Sequence, residues 1–268
     1  MVPEVDIHII ALLILSGLFV GVVNTFAGAA SALTLALFTA LGMDVNTANG
    51  TNRIPVVMQT AVMSVGFRRQ GFLDLRVGLR VGIPAVIGAI VGSLFAVQIP
   101  PSVFQILLGT MLIILLFILL FDPKKFLNSK KTEHTLPKTS TYLWFLLIGL
   151  YGGFFHVGVG YFILTASILS MGHNLMEANA LKGFVVFMYI PFSLLIFALN
   201  DQVVYQYGLI HGCGNIVGSW YATRNSKKIP LNLIRWLLVA MILLTVADLF
   251  EIIDLTGSLE IMFRNLIK

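Results

Sequence analysis

The chain has 268 residues, of which 58% are hydrophobic and 11% charged, against roughly 25% charged in an average soluble domain. It cannot cover its own surface with polar groups, so a soluble globular fold is excluded and the bilayer is its natural solvent. At about 20 residues per span, roughly ten helical segments are the ceiling, and no extramembrane domain fits beside them. The net charge is +5, with most cations in a few short loops, the positive-inside pattern rather than a nucleic-acid footprint.

The N-terminus carries Glu4 and Asp6 and no Lys or Arg. A cleaved signal peptide needs a basic start, so the first apolar stretch, 8–26, reads as a retained span. It is interrupted near Gly28, and a short stretch, 31–41, follows. Longer ones run over 46–67, 77–97 and 102–121. Residues 122–140 are Lys-rich with two prolines and form the linker. The pattern then returns over 142–157, a short 162–171, 175–199, 206–222 and 231–250. The mixed tail, 251–268, reads as interfacial. The lone cysteine, Cys213, excludes an intrachain disulfide and a cysteine metal site. It reads as a small buried hydrophobe.

The return is a repeat. At an offset of 132, Gly17, Leu18, Gly21 and Gly28 match Gly149, Leu150, Gly153 and Gly160. At an offset of 130, Gly42, Ala48, Asn49, Phe67, Gly78, Leu79, Gly82 and Gly88 match Gly172, Ala178, Asn179, Phe197, Gly208, Leu209, Gly212 and Gly218. The expected organisation is a first repeat over 1–121, a cytoplasmic linker over 122–140, a second repeat over 141–250 and the tail. The turn at Arg68, Arg69 and Arg76 is basic, while its mate at Asn200 and Asp201 is not. The Pro100 turn lacks cations, while its mate at Lys227 is basic. Opposite polarity of matched loops marks inverted-topology repeats. The predicted fold is therefore all-α and polytopic, with about five segments per repeat, one of them short or broken, and a site at the repeat interface. The competing layout has four spans per half, with the short segments re-entrant. The inverted arrangement puts both termini outside the cell membrane.

Two sets of residues could carry chemistry. Asn24, Thr25, Gly28 and Ser31 surround the first break, and His156, Gly158, Gly160 and Tyr161 the second. A helix restarting there aims free N–H groups inward and favours an anion; tight packing of small residues is the alternative. The second set is Asn49, Thr51, Asn52 and Arg53 in the third segment and Asn179 and Lys182 in its mate. Arg53 and Lys182 lie about 10 Å into their helices. A cation at that depth costs about 2.5 kcal/mol or more and normally faces a cavity. With few deep carboxylates to pair them, the expected partner is an anion, unless both snorkel to headgroups. His156 could be a proton carrier or a packed hydrogen-bonding group. His211 is a weaker candidate. Asp44 and Glu177 read as N-terminal helix charges. The sequence holds no metal-binding or nucleophile motif, so no cofactor is expected.

Glycine-broken segments followed by Ala48-Asn49-Gly50-Thr51-Asn52-Arg53 and Arg68-Arg69-Gln70-Gly71, with Glu177-Ala178-Asn179-Ala180-Leu181-Lys182 in the second half, resemble the TauE/SafE family of membrane transporters. The resemblance extends from about Gly17 to Ala222, and members often have a richer glycine run where this chain has Ala29 and Ala30. It implies transport of a small anion such as sulfite, an organosulfonate or a related organic acid. The expected protein is a secondary transporter working by alternating access with proton coupling. An anion channel, a carrier of non-sulfur carboxylates and, from another class, a membrane enzyme are the competing functions. The expected partners are the anion and the lipid bilayer, with a homodimer left open.

Overall fold

In a computed structural model the described residues are 5–28, 30–121 and 137–226, with 236, 239–240, 242–243 and 245–247 beyond them. Most of the linker, most of 231–250 and all of the tail lie outside that set. The described helices are α1 (Ile7–Ala27), α2 (Ser31–Ala40), α3 (Val45–Thr51), α4 (Arg53–Arg69), α5 (Leu75–Ala96), α6 (Pro101–Phe121), α7 (Thr139–Phe154), α8 (Val159–Met171), α9 (Leu175–Leu199) and α10 (Tyr205–Arg224). No strand occurs among the described residues. Ile7–Phe26, Leu75–Ala96 and Leu175–Leu199 are long and apolar enough to cross a membrane. Large apolar side chains such as Leu15, Ile83, Phe95, Trp144 and Leu195 are exposed on the outer surface, as the hydrocarbon of a bilayer requires. The chain is an all-α membrane protein.

Helix starts are set by acids and amides in the short turns. Asp6 accepts from the Ile9 N–H, Asp44 from Asn46 and Thr47, and Asp74 from Arg76 and Val77. Asn174 and Glu177 form a reciprocal capping box on α9. Asp44 and Glu177 thus have the helix-terminal role their positions suggested.

The long third segment is not continuous. It breaks at Asn52 into α3 and α4. Pro55 lacks the N–H that would bond the Thr51 carbonyl, so the helix loses a rung at that point. Its counterpart α9 runs unbroken, with Pro191 further along. A second difference is Cys213, which is exposed rather than buried. It sits on the outer face of α10, opposite the buried Gly212 and Gly214.

The halves pack by exchange. α1 lies along α10, and α5 along α7. Both seams are backbone-to-backbone. A Cβ on Gly17 would fall 2.2 Å from the His211 carbonyl oxygen, and one on Gly92 would fall 2.0 Å from that of Leu150. Only glycine allows this approach. α4 packs on α10 and α9 on α5 through larger side chains: the Met58 thioether covers Gly212, and that of Met188 covers Gly82. α6 contributes Phe104, Leu108, Leu112 and Leu115 to an apolar cluster with Val20, Phe155 and Tyr161, joining both halves.

Candidate functional site

The site forms where the two breaks meet. α1 ends at Gly28, which is left-handed (φ 69°) and donates its N–H to Asn24 O at 3.1 Å. α7 ends before His156 (φ 63°) and Gly158 (φ 76°), and α8 restarts at Val159. A non-glycine residue at positive φ is strained and persists only where its surroundings hold it. The surroundings of His156 include a 3.0 Å contact between its Nδ1 and the Tyr189 hydroxyl. Gly28 and Gly160 lie directly against each other at the crossing.

Each break is capped by a cation from the opposite half. Lys182 Nζ donates to Asn24 O (3.1 Å), Thr25 O (2.7 Å) and Asn179 Oδ1 (2.8 Å). The Arg53 guanidinium donates to Gly152 O (2.7 Å), Gly153 O (3.0 Å), Phe154 O (3.3 Å) and Asn49 Oδ1 (3.1 Å). Asn49 Nδ2 also donates to Phe154 O at 2.9 Å. These carbonyls end α1 and α7, the negative poles of the two helices, so cations there are favoured. The Phe197 ring covers the Arg53 guanidinium at 5.0 Å.

The deep cations therefore find their hydrogen-bond partners in the backbone, where an external anion had been the expected one. These acceptors satisfy Lys182 and both arms of the Arg53 fork, leave the Arg53 Nε without a partner, and do not cancel the charge. Neither Arg53 nor Lys182 has a carboxylate partner among the described residues. Both cations rest on the helix-end carbonyls and asparagine side chains alone, with no full negative charge beside them.

Only one of them reaches the cavity. A space of about 20 Å³ is lined by Asn24, Gly28, Val56, Gln59, Thr60, Met63, His156, Val159, Gly160, Lys182, Gly183 and Val186. It has room for about one water. Of the predicted residues, the fold gathers Asn24, Gly28, His156, Gly160 and Lys182 around it. Thr25 and Asn179 stand behind Lys182, and Asn49 and Arg53 behind the α7 end. Thr51 instead accepts from the Val204 N–H at 2.9 Å, pinning the start of α10. Ser31 and Asn52 are buried with an unpartnered hydroxyl and amide nitrogen, and Gly158 packs against Leu115. Tyr161 belongs to the apolar cluster.

Several cavity groups have hydrogen-bonding capacity left. The Asn24 Oδ1 has no protein partner. The Gly160 N–H is second in α8, in the first turn, where the helix itself supplies no acceptor. Gln59 shares the helix face of Asn52 and Val56. It receives the Asn24 amide at 3.4 Å, and its own carbonyl receives the Ser219 hydroxyl at 3.4 Å. Ser219 also meets the Thr25 hydroxyl at 3.2 Å. No sequence signal pointed to Ser219. His211 is a packed histidine, held by Ser16 (3.2 Å), Leu13 O (3.1 Å) and Thr34 (3.2 Å).

One buried cation on the wall of a small polar cavity, at the crossing of two broken helices in an all-helical membrane fold, is an arrangement that suits a membrane transporter. Residues 13–249 match the profile described as Sulfite exporter TauE/SafE, and the chain belongs to that family. It is 24% identical over 249 residues to the probable membrane transporter protein ORF9 of Sinorhizobium sp, covering 91% of this chain and 95% of the relative. It is 25% identical over 243 residues to a probable membrane transporter protein of Haemophilus influenzae, covering 89% and 93%. No solved structure matches it.

Proposed function

We propose that the protein is a secondary transporter of a small anion, sulfite or an organosulfonate, in the cell membrane, driven by protons and working by alternating access. The observation that carries this reading is the buried, uncompensated Lys182 ammonium on the wall of the central cavity. Asn24, Gln59, Thr60 and the Gly160 N–H supply neutral groups able to orient oxygen atoms around that charge. The sulfur-containing substrate comes from the family description. A sulfonate is larger than a 20 Å³ space, so the walls must separate to admit it. That favours alternating access over a standing pore. The exchange of caps, with Arg53 on the end of α7 and Lys182 on the end of α1, supports two inverted halves about a shared axis.

The test is a binding screen on purified protein with sulfite, sulfate, sulfoacetate, taurine and carboxylate analogues. Saturable binding of one anion that is lost in Lys182→Gln, with folding retained, is the expected result. Equal binding by parent and variant would remove the central site.

A further inference from the structure

A second site lies at the basic end of the molecule. α4 and α10 finish side by side, each on an arginine, Arg69 and Arg224. Below these, the two helices enclose a groove of about 720 Å³, within the range of small-ligand sites. Its α4 wall is the stripe Ala61, Val62, Val65 and Gly66, and Trp220 and Thr223 face it from α10. Val65 and Trp220 are half exposed, at 51% and 53%, so the groove opens sideways toward lipid. From Arg69 to Ala61 the stripe descends about 12 Å along the helix axis. That is close to the acyl depth of one leaflet, half of roughly 30 Å.

The upper end is polar and lacks counter-charge. Among the described residues neither Arg69 nor Arg224 has a carboxylate partner or a hydrogen-bond acceptor. Arg224 rests over the Trp220 ring at 5.4 Å, which holds its guanidinium at the rim. Thr223, 2% exposed, ends in a hydroxyl with no protein partner. Gln70 bridges the helices at the same level, its amide donating to Thr223 O at 3.0 Å. An apolar slot one leaflet deep beneath two unpaired guanidiniums matches a single kind of molecule, with a phosphate monoanion at one end and hydrocarbon at the other.

We infer that this groove binds one anionic phospholipid, its phosphate between Arg69 and Arg224 and an acyl chain along Ala61, Val62 and Val65. The site is separate from the central cavity and does not depend on which anion is transported.

The test uses the full chain purified in a zwitterionic detergent, with bound lipid counted by native mass spectrometry as phosphatidylglycerol or phosphatidylcholine is titrated. One phosphatidylglycerol should be retained in preference to phosphatidylcholine. Arg69→Gln and Arg224→Gln should each weaken that preference about fivefold, and the double variant should abolish it. Ala61→Phe, which fills the slot and keeps both charges, should also lose the lipid. Arg76→Gln and Arg80→Gln on α5 should keep it. The proposal is overturned if phosphatidylcholine binds equally well, if Ala61→Phe retains phosphatidylglycerol, or if glycerol phosphate displaces the lipid at comparable concentration. The last result would mark the groove as a vestibule for soluble anions.

Discussion

Gly28 and Gly160 touch backbone to backbone: a Cβ on Gly28 would lie 2.4 Å from Gly160 Cα, and one on Gly160 would lie 2.5 Å from Gly28 Cα. These two residues are also mates in the 132-residue repeat. A contact between equivalent residues is what a two-fold relation of the two halves would require, since such residues can meet only on the axis.

Substitution at this contact is therefore expected to be costly. Gly28→Ala adds a methyl where none fits and forces a left-handed backbone on alanine, a loss of about 2 kcal/mol or more. A fall in Tm of several degrees in detergent is expected. Gly71 supplies the comparison, since it has φ 78° but open space around it. Gly71→Asn, which tolerates that conformation, should melt like the parent. Equal melting of Gly28→Ala and parent would remove the crossing from the stability argument.

The two cations should fail in different ways. Lys182→Gln removes the charge from the cavity wall and should weaken anion binding about tenfold or more, the worth of a charge-assisted hydrogen bond being about 1.5–3 kcal/mol. Arg53→Gln leaves the Gly152 carbonyl without its donor, at about 1–3 kcal/mol for a buried orphan, while Gly153 O keeps the Ser93 hydroxyl and Phe154 O the Asn49 amide. Its main effect should be on Tm. Arg53→Lys should recover only part of that, because a point charge cannot serve both arms of the fork. Titration calorimetry and thermal melts on the same preparations separate the two. Identical profiles for both variants would contradict the division of labour.

Binding should depend on pH through His156. The groups facing it are Tyr189 through Nδ1, Lys182 across the cavity, and Arg53 behind the α7 end. A proton-coupled anion should bind more tightly as pH falls from about 8 to 5, and His156 is the imidazole on the cavity wall able to take the proton. His156→Gln should flatten that slope. A slope unchanged in the variant would return His156 to a packing role with Tyr189.

Topology can be read with thiols once the exposed Cys213 is replaced by serine. Asn200→Cys should react with an impermeant maleimide from outside intact cells, and Arg76→Cys only after the cells are opened. Reaction of both from the same side would contradict the inverted halves.

The segment order, both breaks and the two buried cations were legible because each leaves a local mark: an apolar run, a glycine cluster, a charge in the wrong solvent. Their partners left no such mark. The carbonyls of Asn24, Thr25, Gly152 and Gly153 carry no side-chain signature, so the missing acceptor was assigned to a ligand. Ser219 reached the site only through the packing of α10 against α1 and α4. The seams also hold a register that matched glycines do not give. Gly88 sits against Leu146 and Leu150, whereas its mate Gly218 sits against Leu18 and Val22, one turn further along than the repeat predicts. The separation of α3 from α4 traces to Pro55, whose missing N–H removes a rung at Thr51, although the apolar run itself continues across the break.

The glycine seams and the methionine contacts divide the molecule mechanically. Where α1 meets α10 and α5 meets α7, peptide lies on peptide at the glycines, so few large side chains stand between the two backbones. These pairs are stiff, and each contains one of the two breaks. The faces joining α4 to α10 and α9 to α5 rest instead on Met58 and Met188, unbranched thioethers that can change rotamer over a smooth glycine floor. A movement of one pair against the other would slip along these methionine faces, with the bare contact of Gly28 and Gly160 lying between the two pairs.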